Sequence, residues 1–383
     1  MFRADWVLWV SWGVVIYAYL GFPLILALVA RFFGRESHPE AVQADPDELP
    51  HVAMVVAAYN ERAVLPAKLA NFAAIDYPKD RITLVIGSDG SEDGTSELLA
   101  ECTDPRLKPF VFKERRGKIS VLNDLVRETG AEILIMSDAN TMFAPDAVRK
   151  LVVHFQDSRV GCVSGELCLE QEGGVSGEGL YWKYEGWIKR NESRLGFLIG
   201  CNGGIFALRR ALYQPLPKST VIEDFVLCMR VLERGFHVRF EPAARGVEPA
   251  CPSSRAEMVR KIRIGAGGFQ ALALTSPLLL PQYGLRAFAY WGHKVIRWVV
   301  PLFLVLGFLA NCMLVDQPLY ALLLLLQLAG ALVAALAYRA RPGGVPRWTR
   351  PVSYFYLMNY ALLCGLVRFV FRTQRVTWDR ASR

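Results

Sequence analysis

Asp89, Asp138 and Asn140 each stand where an apolar stretch of the chain gives way to a polar one. A carboxylate or amide oxygen at the end of a buried strand can accept hydrogen bonds from a ribose or a base, or ligate a hard divalent cation. The same residue types are typical of turns and helix caps, so none of them is informative alone. Their recurrence at successive strand ends indicates a binding site.

These residues come together only if the apolar stretches form neighbouring strands. Four short apolar runs alternate with helical patterns that begin near Glu61, Glu92, Gly117 and Pro145, and the runs are 52–59, 82–88, 107–112 and 132–138. This alternation predicts βαβ units and an α/β fold with a mostly parallel, Rossmann-like sheet. Ligands of such sheets bind at the carboxyl ends of the strands, where Tyr59 joins the three residues above.

The composition indicates a membrane protein with a water-soluble part. The chain has 383 residues, of which 53% are hydrophobic and 21% are charged. Runs long enough to cross a bilayer, which takes about 20 residues, are predicted at 6–30, 295–315, 319–338 and 352–371. The first run lacks a small-residue cleavage site, so we interpret it as a retained anchor. The fourth has basic flanks and contains Arg368, so it either spans the bilayer or lies in its interface.

The formal net charge of +8 does not indicate a nucleic-acid partner, because the central part of the chain has no basic stripe interleaved with aromatic residues. Much of the excess flanks the apolar runs instead, at Arg31, Arg35, Arg286, Lys294, Arg297, Arg339, Arg341, Arg347 and Arg350. Lys and Arg concentrate on the cytoplasmic side of membrane segments. We therefore predict a multi-pass protein of the cell (inner) membrane with a cytoplasmic central domain.

Four segments follow from these patterns. We predict an N-terminal transmembrane anchor at 1–35, a soluble α/β domain at 36–256 that opens with a polar linker, interfacial helices at 257–294, and a C-terminal transmembrane region with a basic tail at 295–383. Trp291 and Trp298 have the spacing of an aromatic belt, so we interpret His293 as a residue of the membrane interface. The helix candidate at 181–193 either lines an acceptor groove or covers the sheet.

A series of motifs runs through the chain in a fixed order. They are VAAYNE at 56–61, SDGSEDGT at 88–95, RRGKISVLNDL at 115–125, SDAN at 137–140, GCNGGIFALRR at 200–210, EDFVLCMRVLERGF at 223–236 and RKIRI at 260–264. With the apolar runs, this order resembles the membrane-bound family 2 glycosyltransferases, which include cellulose, hyaluronan and poly-N-acetylglucosamine synthases. The resemblance implies a GT-A fold for 36–256 and an inverting hexosyl transfer from a nucleotide diphosphate sugar.

The resemblance implies a donor site, residue by residue. Tyr59 and Asp89 match the positions that hold the nucleoside, and Gly117 and Lys118 match the Gly-Lys pair near the nucleotide. Glu61 and Arg260 are further residues that we expect at the nucleotide sugar, which we expect to be a UDP-sugar.

The resemblance also implies a divalent cation, Mg²⁺ or Mn²⁺, as cofactor. Asp138 matches the first carboxylate of the family's DxD metal motif. Asn140 stands in place of the second carboxylate, so we expect the cation to be held chiefly by Asp138 and the donor's own phosphates.

On the acceptor side, Glu223 and Asp224 match the family's ED motif, in which the Asp is the general base. Inversion is a single displacement, so a base must take the acceptor's proton on the face opposite the leaving diphosphate. Acids here are also typical of a helix start. Gly203 and Gly204 match a segment that approaches the acceptor, where glycine permits close contact.

The segment 260–268 falls where processive members of the family carry QxxRW. Arg263 takes the position of the Arg that steadies the leaving diphosphate, Arg260 replaces the Gln, and Ile264 replaces the Trp on which a growing polysaccharide stacks. The missing aromatic favours single addition to a lipid-linked or saccharide acceptor in cell-surface or exopolysaccharide biosynthesis. A processive synthase and a non-catalytic nucleotide-sugar-binding membrane module remain as alternatives.

Overall fold

The four apolar runs form adjacent parallel strands in the computed structural model, which describes residues 3–35, 49–170, 178–250, 253–340, 344, 346 and 348–374. The strands are β1 (Val52–Ala58), β2 (Ile82–Asp89), β3 (Leu107–Phe112) and β4 (Ile133–Ser137). In β1, Val52 is in register with Ile82 of β2 and with Ile133 of β4. Most of the predicted linker (36–48) and the basic tail (375–383) lie outside the described residues.

The described residues extend this unit to an eight-stranded sheet of order β3-β2-β1-β4-β7-β6-β8-β5. The added strands are β5 (Met142–Phe143), β6 (Val160–Glu170), β7 (Ile205–Arg209) and β8 (His237–Pro249). β7 pairs antiparallel with β4 and β6, β8 runs parallel to β6, and β5 closes the edge antiparallel to β8. The prediction of a mostly parallel α/β sheet is confirmed.

Both faces of the sheet are buried, which explains why the sequences of its strands are continuous apolar runs. In β1, Val52, Met54 and Val56 join the core on one face. Ala53 and Val55 join the core on the other face. Helices cover both faces, so the carboxyl ends of the strands are the part of the sheet left for a ligand.

The helices of the sheet domain begin close to the predicted places, with a delay of a few residues. They are α3 (Leu65–Ala73), α4 (Thr95–Ala100), α5 (Lys118–Arg127), α6 (Ala147–Val152), α7 (Glu178–Arg194) and α8 (Glu223–Glu233), with 3₁₀ turns at Val153–Gln156 and Arg210–Leu212. The start of α3 is delayed because Asn60 has a positive φ of 53°, which is not a right-handed helical conformation. The helix begins after this residue, with Pro66 in its first turn.

Outside the sheet domain, the helices are α1 (Ala4–Ile16), α2 (Phe22–Phe33), α9 (Ser254–Leu274), α10 (Leu285–Tyr290), α11 (Ile296–Cys312), α12 (Pro318–Arg339) and α13 (Thr349–Val370). π-helical turns at Tyr17–Gly21 and Trp291–Val295 join α1 to α2 and α10 to α11, and 3₁₀ turns lie at Ser276–Leu279 and Pro281–Tyr283. Four stretches among the described residues are long and apolar enough to cross a membrane: Ala4–Phe33, Leu285–Cys312, Pro318–Arg339 and Thr349–Val370.

A buried charged cluster joins α7 of the sheet domain to the apolar helices. His293 is fully buried, with Nδ1 2.6 Å from a Glu192 oxygen and Nε2 2.7 Å from a Glu185 oxygen. The interpretation of His293 as a residue of the membrane interface is wrong, because the carboxylates of α7 enclose it. Arg297 donates to Glu185 at 3.0 Å, so this arginine of the predicted basic flank serves an internal ion pair.

The same helix holds the segment that precedes β7. The second oxygen of Glu192 accepts a hydrogen bond from the backbone N–H of Ile199 at 3.0 Å, and Lys189 donates to the Asn202 side chain at 2.6 Å. α7 therefore connects the apolar helices to the segment that carries Gly203 and Gly204.

Candidate active site

A pocket lies at the carboxyl ends of β1, β2 and β4. Its lining residues are Ala57, Ala58, Tyr59, Glu61, Asp89, Arg115, Gly117, Lys118, Asp138, Ala139 and Asn140. Seven of the residues predicted from the sequence for the donor and metal sites line this one pocket, although they come from segments far apart in the chain. They meet because parallel strands end at the same edge of the sheet.

Asp89 organises the loop on one side of the pocket. Its two carboxylate oxygens accept hydrogen bonds from the backbone N–H groups of Arg116, at 2.6 Å, and Gly117, at 2.8 Å. Gly117 has a φ of +89°, a conformation that an L side chain would strain. The carboxylate thereby fixes the residue just before Lys118 and retains further lone pairs for a ligand.

Tyr59 and Arg115 form a flat wall of the pocket. The Arg115 guanidinium lies 3.9 Å from the centre of the Tyr59 ring, in a cation–π contact. Arg115 was not among the residues predicted for the site. Its pairing with an aromatic ring from another strand end is invisible in the sequence, although its place beside Gly117 and Lys118 is a signal that could have identified it.

Lys118 joins the donor side of the pocket to the helix start of α8. Its ammonium lies 2.6 Å from Asp138 Oδ1 and 2.5 Å from Glu223 Oε1. Burial alone would lower the pKa of Lys118, but the two carboxylates hold that pKa well above its ordinary value. Lys118 is therefore a permanent cation that brings the SDAN and ED motifs into contact.

Asp224 is the carboxylate next to this ion pair, on the first turn of α8. Burial, and then the neighbouring Glu223 charge, raise the pKa of Asp224 to about 7, while Lys118 opposes the rise. A Cβ added to Gly203 would lie 2.8 Å from Asp224 Oδ2, so glycine at 203 leaves room for this carboxylate. The structure thus brings together Lys118, Asp138, Glu223, Asp224 and Gly203.

Gly204 lies beside a carboxylate that the sequence reasoning did not identify. A Cβ added to Gly204 would lie 2.5 Å from Glu248 Oε1 and 2.6 Å from Thr141 Oγ1, and Thr141 donates a hydrogen bond to Glu248. Burial, and then the charge of Asp138, raise the pKa of Glu248. No motif in the sequence marks this glutamate, because its contact with Thr141 joins two segments that are 107 residues apart in the chain.

Arg260 and Arg263, the two arginines of α9 that were predicted for the donor site, do not line the pocket. Arg260 forms a two-point ion pair with Glu257 of its own helix, at 2.8 and 2.9 Å, and its charge lowers the pKa of Glu248. Arg263 lies one turn further along α9 and is half-buried, next to Ile264, whose side chain is 39% exposed. The predicted donor role of Arg260 and Arg263 stays a prediction.

The residues at the end of β4 fit a divalent cation that is shared with a ligand. Asp138 and Asn140 present hard oxygen atoms to the pocket, which are the ligands that Mg²⁺ and Mn²⁺ accept. Within the described ranges, no group of three His, Cys, Asp or Glu side chains is placed to hold a metal by itself. The pair of Asp138 and Asn140 fits sites in which a cation is bound by one or two side chains, by substrate phosphate oxygens and by water.

Comparison with known proteins agrees with this geometry. Residues 53–215 match the model of glycosyl transferase family 2. Poly-beta-1,6-N-acetyl-D-glucosamine synthase of Staphylococcus aureus is 25% identical over 279 residues, which are 68% of this chain and 65% of that protein. The match therefore spans just under two thirds of the relative's length. A probable glycosyltransferase of Bacillus subtilis, YdaM, is 28% identical over 218 residues, 51% of this chain and 50% of that protein.

The fold is also that of a solved structure. The mannosyltransferase PcManGT of Pyrobaculum calidifontis, in complex with GDP-Man and Mn²⁺, superposes with a TM-score of 0.74 at 23% identity and covers 96% of this chain and 99% of that one. At this identity the likeness establishes the GT-A architecture. The order of motifs, the sheet and both comparisons agree: residues 53–215 match the glycosyl transferase family 2 model, the sheet domain has the GT-A fold, and apolar helices that could span a membrane accompany it.

Proposed function

We propose that the protein is an inverting glycosyltransferase. It transfers a sugar from a nucleotide diphosphate sugar, expected to be a UDP-sugar, to a lipid-linked or saccharide acceptor at the membrane. The observation that carries this proposal is the contact of Lys118 with Asp138 on one side and Glu223 on the other. This contact places a base candidate, Asp224, next to the residues expected to bind a diphosphate.

The donor half of the proposed site has complementary charge and shape. Tyr59, Arg115 and Asp89 provide a flat wall and a buried carboxylate for the nucleoside, and Lys118 provides the cation for the diphosphate. Mg²⁺ or Mn²⁺, when bound at Asp138 and Asn140, would neutralise part of the charge of the leaving diphosphate. Arg263 is the further group that we propose to steady that diphosphate.

Asp224 is the proposed general base. Its carboxylate takes the proton of an acceptor hydroxyl while the acceptor oxygen bonds to the anomeric carbon. The bond between that carbon and the diphosphate oxygen breaks on the opposite face, and the nucleoside diphosphate leaves with the electron pair. A base is most effective when its pKa lies near the working pH, and burial brings the pKa of Asp224 to about 7.

The acceptor is proposed to approach from the side of Gly203 and Gly204. This segment lies next to Asp224 and is held by α7, which also contacts the apolar helices. We propose that the domain lies on the cytoplasmic face of the cell (inner) membrane, where nucleotide sugars are made, and that the product belongs to cell-surface or exopolysaccharide biosynthesis.

A processive synthase is the second candidate, because one relative is a poly-N-acetylglucosamine synthase. Ile264, which stands where processive enzymes of the family carry Trp, favours single addition instead, since it offers no aromatic surface for a polysaccharide. We expect purified protein with a radiolabelled donor to yield acceptors extended by one residue. A ladder of long chains on a sizing gel would show that the enzyme is processive.

The base assignment predicts a pH profile. Asp224 must be deprotonated to accept a proton, and its pKa is raised to about 7. We therefore expect kcat/KM for nucleoside diphosphate release to rise with pH around pH 7. Asp224→Asn should lower kcat by about 10²–10⁴-fold, the usual contribution of a general base, and leave nucleotide affinity nearly unchanged.

The matched control for this variant is Asp146→Asn, since Asp146 is exposed and pairs with Lys150 on the surface. Its profile should coincide with that of the wild type. A screen of UDP- and GDP-sugars first identifies the donor that is used in these measurements. An Asp224→Asn enzyme that keeps its rate would show that another group is the base.

Gly203→Ala tests the space around Asp224. The new methyl would lie 2.8 Å from Asp224 Oδ2, so the carboxylate must rotate away while the fold is retained. Misplacement of a reacting group by about 1 Å costs on the order of 100-fold in rate, and we expect a loss of 10- to 100-fold in kcat, within that estimate. Gly130→Ala is the control, because nothing lies within 4 Å of its added Cβ. Equal rates for Gly203→Ala and Gly130→Ala would contradict a catalytic role for Asp224 in its position beside Gly203.

A further inference from the structure

Lys68 is a buried lysine beneath the loop that follows β4. It lies on α3, its side chain has no exposed surface, and its ammonium is 5.1 Å from the centre of the Phe143 ring. Lys is almost never fully buried without a specific function for its charge or its hydrogen bonds. In the sequence, Leu65, Lys68 and Phe72 have the spacing of one buried helix face, and the lysine is the exception among them.

The ammonium of Lys68 bridges the two ends of one short loop. It donates to Ser137 Oγ at 2.7 Å and to the backbone oxygen of Thr141 at 2.6 Å. Between these residues the loop carries Asp138 and Asn140, the two residues proposed to ligate the cation. The turn is also closed by the Thr141 N–H, which donates to the Asp138 backbone oxygen at 3.2 Å.

The neighbouring contacts extend this arrangement. Asn71, one turn after Lys68 on α3, exchanges two hydrogen bonds of 2.8 Å with the backbone of Phe143. On the other side of the loop, the hydroxyl of Thr141 donates to Glu248 of β8. The loop is therefore fixed from below by one face of α3 and from the side by β8.

The position of Lys68 is unfavourable for its charge. Burial lowers the pKa of Lys68 to about 7, although the charges of Asp138 and Glu248 oppose this. A cation near a site for another cation would weaken metal binding if its charge were the main effect. The hydrogen bonds to the loop would strengthen metal binding, because they hold its ligands in place. The two effects have opposite signs and can be told apart.

We infer that Lys68 is a positioning residue for metal binding, which acts by tying Ser137 to Thr141 and so holding Asp138 and Asn140 in one geometry. The inference rests on the proposed function, since it assumes that a divalent cation and a nucleoside diphosphate bind in the pocket. Lys68 lies below the loop and does not line the pocket itself.

The test is a Mn²⁺ titration of the full-length protein in detergent, with free Mn²⁺ measured by electron paramagnetic resonance in the presence of UDP or of GDP. Lys68→Met keeps an unbranched side chain as long as the lysine's carbon chain and removes the ammonium with its hydrogen-bond donors. Partners that orient metal ligands are worth about 10- to 100-fold in affinity. We expect the Kd for Mn²⁺ to rise about tenfold or more in this variant.

Lys150→Met is the matched control, because Lys150 is a surface lysine paired with Asp146, and its Kd should equal that of the wild type. Asp138→Ala is the reference for a lost ligand. An unchanged or a tighter Kd in Lys68→Met, with a weakened Asp138→Ala, would overturn the positioning role and leave the proposed function standing. If the wild type binds no Mn²⁺ in the presence of UDP or of GDP, the positioning role and the proposed function are both overturned.

Thermal unfolding separates an effect on the site from loss of the fold. If Lys68→Met does not fold, Ser137→Ala replaces it, since it leaves the lysine in place and removes one of its two acceptors. The same change removes the hydrogen bond of 3.1 Å from the Ser137 hydroxyl to the Asp138 backbone oxygen. Each lost hydrogen bond corresponds to about fivefold in affinity, and we expect a rise of at least that size in the Kd for Mn²⁺. A Ser137→Ala protein with wild-type affinity would contradict the inference.

Discussion

The ion pairs of Lys118 are the interaction on which the arrangement of the site depends. Asp138 follows β4, Glu223 begins α8, and β5, α6, β6, α7 and β7 separate the two motifs in the chain. Two carboxylates that approach one another in a partly buried place repel, so a cation between them is required. Lys118, held just after the loop that Asp89 fixes, provides that cation. The proposed base therefore stands at a defined distance from the proposed donor site.

A second charged cluster connects this site to the apolar helices. His293 and Arg297 contact Glu185 and Glu192 of α7, and α7 in turn holds the segment before β7. Buried charges of this kind add little net stability, but they tolerate few alternative arrangements when each has its partner. The cluster thus joins the sheet domain to helices that share no hydrogen-bonded ladder with it.

Much of the sheet and of the pocket was predictable from the sequence, for physical reasons. A strand buried on both faces is a continuous apolar run, and polar residues at the ends of parallel strands must meet, so Tyr59, Asp89 and Asp138 could be assigned to one site. Lys118 was added by the resemblance to the family. Contacts between distant elements leave no local signal. Lys68, Glu248 and the enclosure of His293 depend on how α3, β8 and α7 pack, and the interfacial interpretation of His293 failed for that reason.

The coupling through Lys118 is tested most directly by the pH dependence of kcat/KM in Lys118→Met, compared with the wild type. The charge of Lys118 lowers the pKa of Asp224, while burial and Glu223 raise it. With the ammonium removed, the residual activity should titrate at a higher pH than the wild type, because only the backbone hydrogen bond of Phe225 then offsets those two effects. A midpoint equal to that of the wild type would contradict the account, since it would mean that Lys118 and the base do not interact.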